Sequence, residues 1–383
     1  MEYINNELCL GPLKKPLLPL CANYMRPIYV YDLDFLSQRY QSMSNALRNV
    51  RLFYAIKANP YPSILRTLEK EGLGFECVSI QELDRILELF PNIDRKRILF
   101  TPNFAPRSEY EYALTIGCYV TIDSLYPLEH WADLFRTREI IIRIDPGAGA
   151  GHHKHVSTAG NESKFGITQN DLNQVVALTK KHNIRVIGLH AHSGSGILTP
   201  ELWQQTASML ASLTEHFPHV KSINLGGGLG IVEKPGQQPI EFTNLDSLLM
   251  AVKSRYPELE IWLEPGRFFV AESGVILAKV TQCKEKGKVK FVGIETGMNS
   301  LIRPSLYGAY HEIVNLSRLN EKKAGFSHIV GPICESGDTL GYDRLLPVTE
   351  EGDVLLIANT GAYGRCMSSH YNLRPPAQEI VLD

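Results

Sequence analysis

The chain lacks most of the features that would assign a protein to a compartment or a polymer partner. No apolar run is long enough to span a bilayer, which argues against a membrane-crossing helix. The opening Met1-Glu2-Tyr3-Ile4-Asn5-Asn6-Glu7 has neither the basic start nor the apolar centre of a signal peptide. Seven cysteines (Cys9, Cys21, Cys77, Cys118, Cys283, Cys334 and Cys366) fall without any C-x-x-C spacing, so neither a disulfide framework nor a structural zinc site is expected. Charge of one sign is missing too. With 39 basic and 41 acidic residues the formal net charge is -2, which gives no electrostatic case for nucleic acid or an anionic membrane as partner. These absences predict a soluble protein of a reducing cytoplasm. What is present is ordinary globular composition, 44% apolar and 21% charged over 383 residues. That length suits two domains, or one large barrel with an extra unit.

Eight strand-like runs recur, over 51–56, 74–80, 97–100, 119–123, 139–145, 185–192, 222–226 and 260–263. Several are continuously apolar, as in Ile140-Ile141-Ile142, which is the pattern of strands buried on both faces. Amphipathic helical stretches separate them, for example 63–71, 80–89, 108–116, 171–182, 199–216 and 245–256. Strand and helix in alternation predict a parallel sheet. Eight repeats predict a (β/α)8 barrel over about residues 32–270, with a doubly wound open sheet as the competing architecture. Beyond 270, runs such as 274–280, 288–294, 328–330 and 353–358 read as antiparallel strands. They predict an antiparallel β-sandwich or barrel domain over 271–383, completed by residues 1–31. One long insertion, 146–166, carries His152, His153, Lys154 and His155. No cysteine or carboxylate accompanies these histidines at ligand spacing, so a basic mobile lid is expected rather than a metal site.

The polar motifs gather at the C-terminal ends of the predicted strands, the active face of barrel enzymes. Lys57, in Phe53-Tyr54-Ala55-Ile56-Lys57-Ala58-Asn59-Pro60, closes the first strand. Isolated lysines at such edges ordinarily extend to solvent. One held under apolar neighbours would be a carbonyl-trapping amine, because burial favours the neutral nucleophile. His190 and His192 close the sixth strand, Gly226-Gly227-Gly228 the seventh, and Glu264-Pro265-Gly266-Arg267 the eighth. Three glycines let backbone N–H groups approach a phosphate.

In that order, Tyr54-Ala55-Ile56-Lys57-Ala58-Asn59, His190-Ala191-His192-Ser193-Gly194-Ser195, Gly226-Gly227-Gly228, Glu264-Pro265-Gly266-Arg267 and Gly331-Pro332-Ile333-Cys334-Glu335-Ser336-Gly337-Asp338 resemble one family. It is the alanine-racemase-like, fold type III pyridoxal-phosphate-dependent amino acid decarboxylases. Arg303-Pro304-Ser305-Leu306-Tyr307 and Gly361-Ala362-Tyr363-Gly364 are similar to its diaminopimelate branch. The resemblance implies that Lys57 carries pyridoxal 5'-phosphate covalently. His192 would stack on the cofactor ring. Ser195, Gly226, Gly227 and Gly228 would hold its phosphate, and Glu264 would pair with its ring nitrogen. Arg267 would contact phosphate or substrate carboxylate, with Tyr363 nearby. Cys334 would handle the proton that replaces the lost carboxylate, and would come from the neighbouring subunit of a homodimer with shared active sites. His190 is expected to be a hydrogen-bonded core histidine, deeper in the barrel.

Specificity rests on charge. Arg303 and Tyr307 supply donors suited to a distal carboxylate, and Glu335 can accept from a distal ammonium. Together they fit meso-2,6-diaminopimelate, whose decarboxylation gives L-lysine. The alternatives are a relative acting on another diamino acid or a carrier-bound glutamyl group, or a non-catalytic protein that only binds the cofactor. A single-barrel binding protein would have no β domain bearing Cys334.

Overall fold

The computed structural model describes residues 2–4, 7–10, 15–147, 150–151 and 163–382. Most of the expected lid, including all three of its histidines, lies outside the described residues. The chain divides into two units: Tyr40–Ile231 with Gln238–Gly266, and Met1–Arg39 with Val232–Gln237 and Arg267–Asp383. The loop Val232–Gln237 therefore goes with the second unit, although it follows a strand of the first.

Strand β1 (Ile28–Tyr31) belongs to the second unit. The next eight, β2 (Val50–Ala55), β3 (Gly74–Cys77), β4 (Ile98–Phe100), β5 (Tyr119–Ile122), β6 (Glu139–Arg143), β7 (Arg185–His190), β8 (Ser222–Asn224) and β9 (Glu260–Leu263), close into one barrel. Every neighbouring pair is parallel, and the ring closes where Ile261 of β9 pairs with Val50 of β2. All eight expected runs are strands, six of them ending before the expected C-terminal bound and two, at Phe100 and Leu263, ending on it. Their closure excludes the open sheet. Phe53, Leu99, Ile141 and Trp262 form one interior cluster, with the Phe53 and Trp262 rings 5.2 Å apart. Gly74 makes room for that packing: a Cβ there would lie 2.5 Å from the Phe53 ring. Between strands run helices such as Pro62–Lys70 and Ile80–Leu89, whose apolar faces are buried. The second is capped from both sides, Ser79 Oγ accepting from Glu82 N–H and Glu82 Oε2 accepting from Val78 N–H at 2.7 Å.

In the second unit β10 (Gly274–Lys286), β11 (Val289–Ile294), β12 (Ile313–Asn315), β13 (Gly325–Val330), β14 (Thr339–Leu346) and β15 (Val354–Ile357) pair in the order β12-β15-β10-β11-β13-β14. β1 also pairs with β10, and β16 (Gln378–Val381) with β1. The sheet is mixed rather than purely antiparallel. β11 runs parallel to β13, and β16 parallel to β1. Alternation along a strand reports which face is buried and not which way its neighbour runs, so the sequence carried no signal for those two pairs. Ile28, Val30, Val275, Leu277, Val354 and Leu356 share the core of this sheet. Among the described residues no helix is long and apolar enough to cross a membrane. Nor do any three His, Cys, Asp or Glu side chains among them group as a metal site.

Candidate active site

A cavity of about 380 Å³ opens at the C-terminal ends of the barrel strands. It is lined by Lys57, Glu76, Val78, Thr101, Asn103, Arg143, Lys164, Phe165, His190, His192, Gly227 and Glu264. Lys57 lies in the turn Ile56–Ala58 that ends β2. Its amine is not under apolar cover. The Lys57 side chain is 43% exposed and its Nζ donates to both oxygens of Glu76, at 3.0 and 2.8 Å. Glu76 itself is 1% exposed, and Thr101 Oγ1 also donates to it. The sequence signal for Glu76 was available: an acid inside the buried run Gly74-Phe75-Glu76-Cys77 must be paired.

Glu264 is buried at the end of β9. Asn224 Nδ2 donates to its Oε1 at 2.7 Å, and His190 Nε2 lies 3.5 Å from its Oε2. Burial alone would push this carboxyl up. His190, through its field and its hydrogen bond, and the charge of Lys57 outweigh it and hold Glu264 below the usual carboxylate range, as an anion. Asn224 turns its other end to the glycine turn, its Oδ1 accepting from Gly226 N–H at 3.0 Å. His192 Nδ1 accepts from Gly227 N–H at 3.2 Å, which leaves any ring proton on Nε2. Burial, with the charges of Arg143 and Lys57, lowers the His192 pKa to about 3, so its ring is neutral at physiological pH. Gly226 and Gly228 both take positive φ, and a Cβ on Gly228 would lie 2.4 Å from the Gly194 carbonyl. No other residue fits there without displacing backbone.

His190 is buried, as expected, and its partner is the Glu264 carboxylate, while its ring also lines the cavity. Arg143, on the same wall, is held by Asp123 at 3.0 Å and lies 4.5 Å from the Phe165 ring centre.

The remaining expected residues lie in the second unit. Arg303 opens the short helix Arg303–Tyr307 and is 2% exposed. Its Nη2 donates to Glu233 Oε1 at 3.1 Å, and its Nη1 lies 3.0 Å from His311 Nε2. His311 Nδ1, 2.8 Å from the Ala358 carbonyl, donates there, so Nε2 accepts from the arginine. Burial and the charge of Arg303 lower the His311 pKa to about 3. Burial and the like charge of Arg267, only partly offset by Glu233, bring Arg303 down to about 10. Arg267 Nη1 lies 3.7 Å from the same Glu233 oxygen, and its guanidinium sits 4.9 Å from the Tyr363 ring centre. Arg303, Arg267 and Tyr363 thus come together, with Glu233 as a carboxylate the sequence reading did not identify. Tyr307 is half-buried. Cys334 and Glu335 are exposed on a turn built by Asp338, whose carboxylate accepts from Met298 and Ile333 N–H at 2.6 and 2.7 Å.

Residues 33–271 match the model of the pyridoxal-binding domain of the pyridoxal-dependent decarboxylases. The chain belongs to that family. It is 34% identical over 379 residues to a diaminopimelate decarboxylase of Methanothermobacter thermautotrophicus, covering 95% of this chain and 88% of that one. A Campylobacter jejuni protein of the same name is 35% identical over 378 residues, covering 95% and 92%. The crystal structure of the Helicobacter pylori diaminopimelate decarboxylase complexed with L-lysine superposes with a TM-score of 0.88 at 30% identity, covering 96% and 94%. The residues of this family member fit the cofactor that its family uses. The cavity offers a primary amine on the rim, an anionic buried carboxylate, a neutral histidine and a glycine turn closed to side chains. It also has a buried imidazole, His190, beside the anionic carboxylate.

Proposed function

We propose that this chain decarboxylates meso-2,6-diaminopimelate to L-lysine and carbon dioxide with pyridoxal 5'-phosphate, in the cytoplasm. The observation that carries the reading is full-length likeness, at 34–35% identity, to decarboxylases of that name from an archaeon and a bacterium. When bound, the cofactor supplies an electron-poor ring that takes up the electron pair left at the α-carbon as carbon dioxide departs.

The chain's own groups take the remaining tasks. Lys57 anchors the cofactor, and Glu76 Oε2, 2.8 Å away, orients its Nζ. Glu264, an anion, favours a protonated ring nitrogen. His192, neutral and fixed by Gly227, stacks without adding charge. Ser195, Gly226, Gly227 and Gly228 bind phosphate through close backbone approach. Arg303 and Tyr307, with Arg267 and Tyr363 beside them, take the distal carboxylate, and Glu335 takes the distal ammonium. Cys334 delivers the proton that replaces the carboxylate, to the site of the other copy in a homodimer.

The test is carbon dioxide release from meso-diaminopimelate against lysine, ornithine and arginine. Preference for diaminopimelate is expected. Preference for a substrate without a distal carboxylate would remove Arg303 from its task and favour a decarboxylase for another diamino acid. Mixing Lys57→Ala with Cys334→Ala subunits should restore activity. No recovery despite proven subunit exchange would contradict the shared site.

A further inference from the structure

The carboxylate of Glu233 already sits where two arginines converge. Both contacts fall on one oxygen, Oε1, at 3.1 Å from Arg303 Nη2 and 3.7 Å from Arg267 Nη1. Such one-oxygen contact uses little of a guanidinium's fork, whose strongest pairing is two parallel N–H···O bonds to one carboxylate. Arg303 Nε, buried, has no hydrogen-bond partner at all. The pocket is therefore filled by an anion but not satisfied by it.

The piece of chain that carries Glu233 is a turn bonded within itself. Gln237 Oε1 accepts from Glu233 N–H and Lys234 N–H, each at 2.8 Å, and Gln237 N–H donates to Lys234 O at 3.3 Å. Pro235 and Gly236, the latter at φ +87°, fill the two centre positions of that turn, as a type II turn requires. Residues 234–237 are exposed, while the Glu233 side chain is only 13% exposed. A solvated, self-bonded turn thus presents one inward carboxylate.

We infer that Glu233 is a built-in occupant of the arginine pocket, which the distal carboxylate of the substrate must displace in order to bind. This rests on the assignment of Arg303 to that carboxylate. The exchange is selective. An incoming carboxylate replaces one-oxygen contact with a forked pair and also reaches the unsatisfied Nε. A distal end bearing only an ammonium offers the arginines nothing and leaves Glu233 in place. Affinity for the right substrate is reduced by the fraction of molecules whose pocket is closed, and rejection of the wrong one is the gain.

The experiment is calorimetric binding of pimelate, a dicarboxylate with no amine, to the full-length cofactor-loaded protein. Glu233→Gln and Glu233→Ser should each bind pimelate tighter by about tenfold, as expected if the pocket is closed in about nine molecules of ten. Equal or weaker binding by both would overturn the inference and make Glu233 a residue that positions the arginines. Arg303→Lys separates the two levels. If it loses pimelate while the Glu233 variants gain nothing, displacement alone fails. If Arg303→Lys binds pimelate as well as the parent does, the arginine assignment fails, and this inference with it.

Discussion

Each unit holds a cation against a carboxylate, but on opposite terms. In the barrel the cation is half-exposed and its partner buried: Lys57 at 43% against Glu76 at 1%. In the β unit the cation is the buried member, Arg303 at 2% against Glu233 at 13%. The difference follows from chemistry. A lysine that must react has to give up its proton and its partner, so its amine belongs at the open end of the pair. An arginine stays charged whatever happens and serves by staying fixed, so burial does not stop it from acting as a cation. Its carboxylate partner is carried by an exposed turn.

The largest effect should come from the exposed pair. Lys57→Ala should remove the near-visible absorbance of the cofactor-loaded protein and lower kcat by at least about 10³-fold. A variant that keeps its colour would break the comparison at its first term. Next comes the buried cation. Arg303→Met leaves His311 Nε2 without its donor and Glu233 with only the longer contact to Arg267. A loss of about 3–5 kcal/mol is expected in urea unfolding. Arg303→Met with Glu233→Met should recover part of it, and absence of recovery would mean that the pair is not the origin of the cost.

Acid should affect both units, because each holds a buried histidine in its neutral form, His192 in the barrel and His311 in the β unit. His192 and His311 both titrate at about 3 when folded, against an ordinary value near 6.5. Between those values the unfolded chain binds more protons, so stability is full above about pH 6.5 and falls as the pH drops toward 3. Each histidine contributes up to about 1.4 kcal/mol per pH unit. Urea midpoints that do not move between pH 6 and pH 4 would remove this symmetry.

The smallest effect has the opposite sign. Burial, reinforced by Glu76, raises Glu82 to about 7 from 4.5. The folded state then keeps a proton that the unfolded state has lost, and stability declines as the pH rises from about 4.5 to about 7. Glu82→Gln retains an acceptor for Val78 N–H and removes the decline. It should be more stable than the parent by about 1–3 kcal/mol at pH 8 and equal to it at pH 4. Equal stability at both pH values would show that Glu82 is solvated as an ordinary carboxylate.

Much of this was legible in the chain. Continuous apolar runs at regular spacing marked all eight barrel strands, because burial on both faces leaves few alternatives in residue type. Lys57, His192, Gly227 and Glu264 were found at strand ends, where polar residues interrupt those runs, and they line one cavity. Asn224 and Glu76 were missed for a definable reason. Glu76 lies inside an apolar run and Asn224 ends a short strand, and in both cases the run's meaning as a strand hid the polar residue. Asn224 joins Glu264 to the glycine turn, a link across 40 residues that no local pattern encodes. The direction of pairing in the β unit was also out of reach, since alternation fixes faces and not partners.

The residues alone therefore determined which strands form and which side chains end them, because hydrophobic periodicity and backbone chemistry act locally. Only the tertiary structure decided which charges meet. Lys57 was expected under apolar cover and instead pairs with Glu76. Arg303 was expected to donate to a substrate's distal carboxylate, and in the structure it donates to Glu233. Ion pairing depends on distances between residues 19 or 70 positions apart. Those distances exist only once the barrel has closed and the β unit has folded.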